Sequence, residues 1–397
     1  MLEQVFIDCM PGPTNHFGGH SHGNLASMAS KGNQSNPKKA ALEWLNKVTS
    51  VANLGAVQLI LPPHPRPLVK HQNNCNWQQL TSAFIWMANA GHFIPSSDTY
   101  HSRHQFIPAN MNQTRHRRHE HYFNRFWIKK LLNHTPTTIQ SKLKNDDEGA
   151  ANTIRLWGKD AALNLFIYGH KSTTFPSRQS KDSINELIHK AGIKNAIQLE
   201  QTKEAIDHGV FHNDVISFGF HNQLICHEHS FIDQKHQLKC ISDTYFKLNR
   251  SMLNITEIST KDLSLQDCID SYLFNSQVII KKNKTILLCP IDVKKNKSSL
   301  IIVNSWLKKG LFNEIKFSNI QSSLMNGGGP ACLRLCIYLD PTELNAIPKQ
   351  FYLTNELISK LNKIINQIYP ETICLQDIQT NPKQYREITQ SICQLFA

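Results

Sequence analysis

A cysteine acts as a nucleophile through its thiolate, and it must be delivered to a cleft to do so. The stretch Asn326-Gly327-Gly328-Gly329-Pro330-Ala331-Cys332-Leu333-Arg334-Leu335 offers such delivery. Three consecutive glycines are unfavourable inside any regular element, but they suit a sharp bend or a close backbone approach to a ligand. An apolar run over 332–339 follows, so Cys332 is expected at the start of a strand, projecting from the sheet end. The competing reading is an inert buried thiol.

A second candidate is Gly209-Val210-Phe211-His212-Asn213-Asp214-Val215-Ile216. Read as the approach to a strand over 215–220, alternation puts His212 and Asp214 on one face. A histidine beside a carboxylate is what general acid–base chemistry requires, although a structural contact has the same pattern. A third, Asn145 through Asn152, contains Asp146, Asp147 and Glu148 ahead of two alanines. By itself it reads as an acidic helix start favoured by the macrodipole. The loop Gly18-Gly19-His20-Ser21-His22-Gly23-Asn24 could present backbone donors to an anion. The segment 100–121 holds His101, His104, His116, His119 and His121, without the spacing of a closed zinc site. It reads as a polar loop near a substrate.

These residues need a scaffold. Apolar runs bounded by turn residues predict strands over 56–61, 163–168, 215–220, 223–227, 277–280, 285–288 and 332–339, with 277–288 as a hairpin. Helices alternate with them. Asn36-Pro37 caps one that carries Leu42, Leu45, Val48 and Ala52. Asp182 precedes another, carrying Ile184, Leu187, Ile188 and Ala191 and stopped by Gly192. A third, over 355–368, has Leu357, Leu361, Ile364, Ile365 and Ile368 on one face. The alternation predicts an α/β or α+β chain in one large domain.

The 397 residues, 40% hydrophobic and 18% charged, have a globular composition. No apolar run is long enough to span a bilayer, and the first nine residues lack a basic start followed by an apolar core. A cytoplasmic protein is expected. The ten cysteines have no disulfide rhythm and are expected as reduced thiols. The formal charge of +13 favours anionic partners, but its lysines, such as Lys281, Lys284, Lys294 and Lys297, scatter around strand ends. Nucleic-acid binding is not expected.

Taken together, in order along the chain, the segments resemble the N-succinylarginine dihydrolase family of the guanidine-modifying (pentein) superfamily. The resemblance runs through Thr14–Gly19, Gly23-Asn24, Leu61–Pro67, Ala88-Asn89-Ala90, Pro95–Thr99, Asp147–Asn152, Gly209–Ile216, Tyr272–Gln277 and Asn326–Leu335. It implies an α/β fold, a five-bladed α/β propeller of pseudo-symmetric ββαβ modules, with residues 1–397 as one catalytic domain. It implies hydrolysis of N2-succinylarginine to N2-succinylornithine, two ammonia and carbon dioxide, with no metal or organic cofactor and in a homodimer. The family's catalytic residues fall on Cys332, His212 and Glu148. Its substrate contacts fall on Gly18, Gly19, His20, Ser21, His22, Gly23, Asn24, Leu25, Ala26 and Ser27, and on Asn89, His116, Arg117, Arg178, Asp214 and Asn326. The chemistry agrees. A thiolate can attack the poorly electrophilic guanidinium carbon, and carboxylates at Glu148 and Asp214 can hold the planar cation. His212 can move the protons, while Arg117, Arg178 and Asn89 suit the substrate's two carboxylates. Leu25 stands where the family usually has an acidic residue, and His20 and His22 replace apolar or aromatic ones.

Three other activities share some of these features. A deiminase or an amidinotransferase would use the same core, a catalytically dead binder of an arginine derivative would need none of it, and a basic nucleic-acid binder would show salt-dependent affinity.

Overall fold

Alternating and continuous runs of Val, Ile, Leu and Phe place β-branched and large apolar side chains on pleated, half-buried surfaces, and each predicted run contributes to a strand. In the computed structural model, residues 2–17, 22–66, 86–114, 117–170, 172–281 and 284–396 are described. Among these, fifteen strands form five three-stranded sheets. Four sheets follow one rule: two neighbouring strands run antiparallel and the third joins in parallel. A helix precedes the parallel strand in the chain, as a crossover requires. The fifth pairs Gln277–Lys281 antiparallel to Lys284–Pro290, from Gln277↔Leu288 to Lys281↔Lys284, which is the expected hairpin. Its turn residues 282 and 283 lie outside the described residues.

The chain forms two compact units. The first comprises Met1–Ala88, Thr114–Thr135 and Ser318–Ala397, and the second Asn89–Gln113 and Pro136–Phe317. In the first, Glu3–Cys9 lies between Arg334–Leu339 and Val57–Leu61, so strands from distant parts of the chain share one sheet. Trp44, Leu45, Val48 and Val51 of the helix Pro37–Asn53 are buried, as are Val5, Phe6, Ile7, Leu59, Ile60 and Leu61. The buried stripe is rotated from the expected one, because Lys47 also turns inward to meet Asp8 at 2.7 Å. Burial pushes the Asp8 carboxyl up and the Lys47 ammonium down, and each partly offsets the other's shift.

The second unit holds the other four sheets. One core cluster joins Leu163, Leu165, Leu224, Ile241 and Tyr245, and another joins Ile107, Phe166, Ile184 and Leu187. The helix Lys181–Ala191 ends at Gly192, whose φ of 62° is the left-handed conformation expected of a glycine stop. Its N-cap is Ser180, which accepts from the Ser183 amide, while Asp182 sits in the first turn.

Three expectations need correction. Asn213–Val215 is a 3-10 turn and the strand begins at Ser217, so strand alternation does not set the faces of His212 and Asp214. Cys332 lies in a turn two residues ahead of its strand, which begins at Arg334. The histidine-rich segment is loop only in part: it contains the buried strand His104–Pro108 and leads into the helix Glu120–Leu131.

Candidate active site

The glycine run of the first unit is shaped by what presses against it. Gly327 has φ 82°, and a Cβ there would strike the Asn24 side chain. A Cβ on Gly328 would strike the indole nitrogen of Trp86. That nitrogen donates to Ser323 Oγ at 3.2 Å, and Ser323 Oγ donates to the Gly328 carbonyl at 2.7 Å. Asn24 Nδ2 donates to the Asn326 and Gly327 carbonyls at 3.4 and 3.1 Å, while its Oδ1 caps the Ser27 amide. The turn closes with the Cys332 amide on the Gly329 carbonyl, and the Ala88 amide donates to the Cys332 carbonyl, both at 3.1 Å. Cys332, within this turn, is buried at 4% exposure. Glycine is therefore required here for close approach as much as for bending.

The second unit builds a buried acid–base couple. Glu148 lies immediately before the 3-10 turn Gly149–Asn152. Its Oε2 meets His212 Nε2 at 2.7 Å, and its Oε1 accepts from Arg178 Nη1 at 3.0 Å. All three side chains are buried. The backbone around Glu148 is also fixed: its amide donates to Gln179 Oε1 at 3.2 Å, and Asn89 Nδ2 donates to its carbonyl at 2.7 Å. Next to it, Asp147 Oδ1 meets His92 Nε2 at 2.7 Å and accepts from Gln179 Nε2 at 3.1 Å and the Gly149 amide at 3.2 Å. His212 is oriented in turn by Asn213, whose amide donates to Asn152 Oδ1 at 2.8 Å. Such a couple can shuttle protons at a buried reaction centre.

Of the residues singled out from the sequence, Glu148, His212, Arg178, Asn89 and Asp214 fall in the second unit. The first holds Cys332, Asn326, Arg117, His22, Gly23 and Asn24, and also Leu25, Ala26 and Ser27, expected on a loop but opening the helix Leu25–Ser30 that Asn24 caps. Gly18, Gly19, His20, Ser21 and His116 lie outside the described residues. Arg178, expected on a substrate carboxylate, reaches Glu148 in this structure. Arg117 pairs with Glu120 at 2.8 Å, and its guanidinium lies 5.6 Å from the centre of the Trp86 ring. The sequence reading missed Trp86, His92, Glu120 and Gln179. Of these, only Glu120 had a local signal, three residues after Arg117 on a helix start. Among the described residues no cluster of histidine, cysteine and acidic side chains could hold a metal ion, and no helix is long and apolar enough to cross a membrane.

Solved structures share this arrangement of strands and helices. The N-terminal domain of ArgZ, an arginine dihydrolase from the ornithine–ammonia cycle in cyanobacteria, solved bound to product, superposes with a TM-score of 0.57 at 13% identity. The match covers 84% of this chain and 97% of that one. A single-residue variant of the same domain, solved covalently bound to a reaction intermediate, superposes equally well at 0.57, with 13% identity and the same coverage. The fold is thus the α/β pentein fold, and the five three-stranded sheets match its five ββαβ modules. The profile of the succinylarginine dihydrolase family matches residues 2–83 and 68–397, and the chain belongs to that family. N-succinylarginine dihydrolase of Burkholderia mallei is 30% identical over 95% of this chain and 93% of its own length. The enzyme of Shewanella loihica is 29% identical over 94% and 92%.

Proposed function

We propose that this chain hydrolyses N2-succinyl-L-arginine in arginine catabolism, with Cys332 as nucleophile and Glu148 and His212 as its acid–base couple. The observation that carries the reading is Glu148, a buried carboxylate joined at once to an imidazole and a guanidinium. Arg178 occupies Glu148 Oε1 as a substrate guanidinium would, so this carboxylate can take that cation out of water.

In the reaction, the Cys332 thiolate adds to the guanidinium carbon. The imidazolium of His212 protonates one departing nitrogen, which leaves as ammonia, and carbon remains bonded to sulfur. His212 then takes a proton from water, whose oxygen adds to that carbon as the C–S bond breaks, giving N2-succinylcitrulline. A second round on the ureido carbon releases the second ammonia, and the resulting carbamate loses carbon dioxide to leave N2-succinylornithine. The covalent intermediate held by the ArgZ domain supports a covalent route on this fold. Asp214, Asn89, Asn326, Arg117, Arg178 and residues 18–27 are read as the residues that hold the substrate. Residues 1–397 are read as one catalytic domain, and the enzyme as a cytoplasmic homodimer; light scattering after gel filtration checks the dimer.

The experiment is turnover of N2-succinylarginine by wild type and Cys332→Ala, with ammonia and organic product quantified by mass spectrometry. Two ammonia per succinylornithine, lost in the variant, is expected. One ammonia with accumulating succinylcitrulline identifies a deiminase. Inertness toward this substrate and free arginine overturns the hydrolase.

A further inference from the structure

Behind the nucleophile turn of the first unit, one carboxylate holds two guanidinium groups. Glu120 Oε1 accepts from Arg66 Nη2 at 2.8 Å and from Arg117 Nε at 3.1 Å. Glu120 Oε2 accepts from Arg117 Nε at 2.9 Å and meets Arg117 Nη2 at 2.8 Å. None of the three side chains is more than 3% exposed. The three side chains are thus ions in contact in a buried place, where taking ions out of water costs several kcal/mol each. Burial lowers the Arg66 guanidinium to about 10 despite Glu120's opposing effect.

The orientation is specific. Glu120 takes the side-on fork of Arg117, Nε with Nη2, and Trp86 covers one face of the guanidinium. The end-on edge, Nη1 with Nη2, is the edge through which arginine takes a carboxylate with two parallel bonds. Trp86 is also the ring packed on Gly328 and bonded to Ser323, so it links Arg117 to the turn that ends at Cys332. Glu120 stands in the first turn of its helix, where the macrodipole further favours a carboxylate.

We infer that Glu120 is a positioning residue, aligning Arg117 and Arg66 so that Arg117 receives a carboxylate of the substrate. The inference rests on the proposed function, which makes Arg117 a substrate contact. Replacing Glu120 by glutamine removes a negative charge, so electrostatics alone would tighten an anion and lower KM. Lost alignment does the opposite. The Glu120→Gln variant is expected to raise KM for N2-succinylarginine about tenfold while kcat stays within about threefold. In an Arg117→Ala background the same change should add less than about threefold, because the two act as a unit. N2-acetylarginine lacks the succinyl carboxylate and succinylagmatine lacks the α-carboxylate. The KM penalty should vanish for whichever analogue lacks the carboxylate that Arg117 receives.

A KM that is unchanged or lower, an equal rise on all three substrates, or full additivity with Arg117→Ala overturns the inference. Should wild type not turn over N2-succinylarginine, the functional reading falls by itself. The alignment is then read by calorimetric titration with succinate. Weaker binding to Glu120→Gln than to wild type upholds it, and equal or absent binding to both overturns it.

Discussion

Replacing Glu148 by glutamine separates two things that its carboxylate does. The substitution keeps the shape but removes the charge that pairs Arg178 and orients His212, all of them buried. Breaking a buried ion pair from one side leaves the other ion without compensation, at about 3–5 kcal/mol. For a chain of 397 residues unfolding in one transition, at roughly 2.1 cal/mol/K per residue, that is a fall in Tm of about 4–6 °C. The loss of the acid–base couple should lower kcat by about 10²–10⁴-fold. Differential scanning calorimetry and ammonia release measure the two effects separately. The double variant Glu148→Gln/Arg178→Met removes the stranded guanidinium, so it should recover most of the lost Tm while kcat remains low. A Glu148→Gln protein that melts within about 1 °C of wild type contradicts the buried-pair argument. One that keeps kcat within about tenfold of wild type removes Glu148 from the catalytic couple.

Two further outcomes follow from the first unit. Gly328→Ala drives a Cβ into the Trp86 indole nitrogen, and overpacking of this kind costs about 1–3 kcal/mol. Denaturant melts should show that the cost shrinks in a Trp86→Phe background, and equal costs in both backgrounds refute the clash. His16 is held neutral by burial and the nearby Arg66 charge, its pKa pushed down to about 4 from 6.5. A histidine depressed in the folded state takes up protons more readily when unfolded, so its contribution is constant above pH 6.5 and is lost as the pH falls toward 4. The loss should total roughly 3 kcal/mol, visible as an acid slope in stability that His16→Gln lacks. A variant with the wild-type slope assigns the acid sensitivity to other groups.

How much of the fold and the site is legible in the sequence depends on the range of the interaction that fixes each residue. The Asn36 cap, the Gly192 stop and the 277–288 hairpin are local devices, and the structure has each of them. The His212 segment misled because its neighbours suggest a strand, whereas distant partners fix a turn. Asn213 donates to Asn152 Oδ1 through its amide and to the Ser230 carbonyl through its side chain, and its Oδ1 bonds Ser217 Oγ. No periodicity within 209–216 encodes Asn152 or Ser230. The same holds for His92 with Asp147 and Arg66 with Glu120, ionisable pairs separated by 55 and 54 residues. Arg178 makes the distinction sharpest. The family resemblance named it as a substrate contact, yet a resemblance names a side chain without naming its partner. The partner found is Glu148, 30 residues away and reached across the fold. Motifs can therefore nominate candidate site residues, while the charge balance around them has to be read from the packed structure.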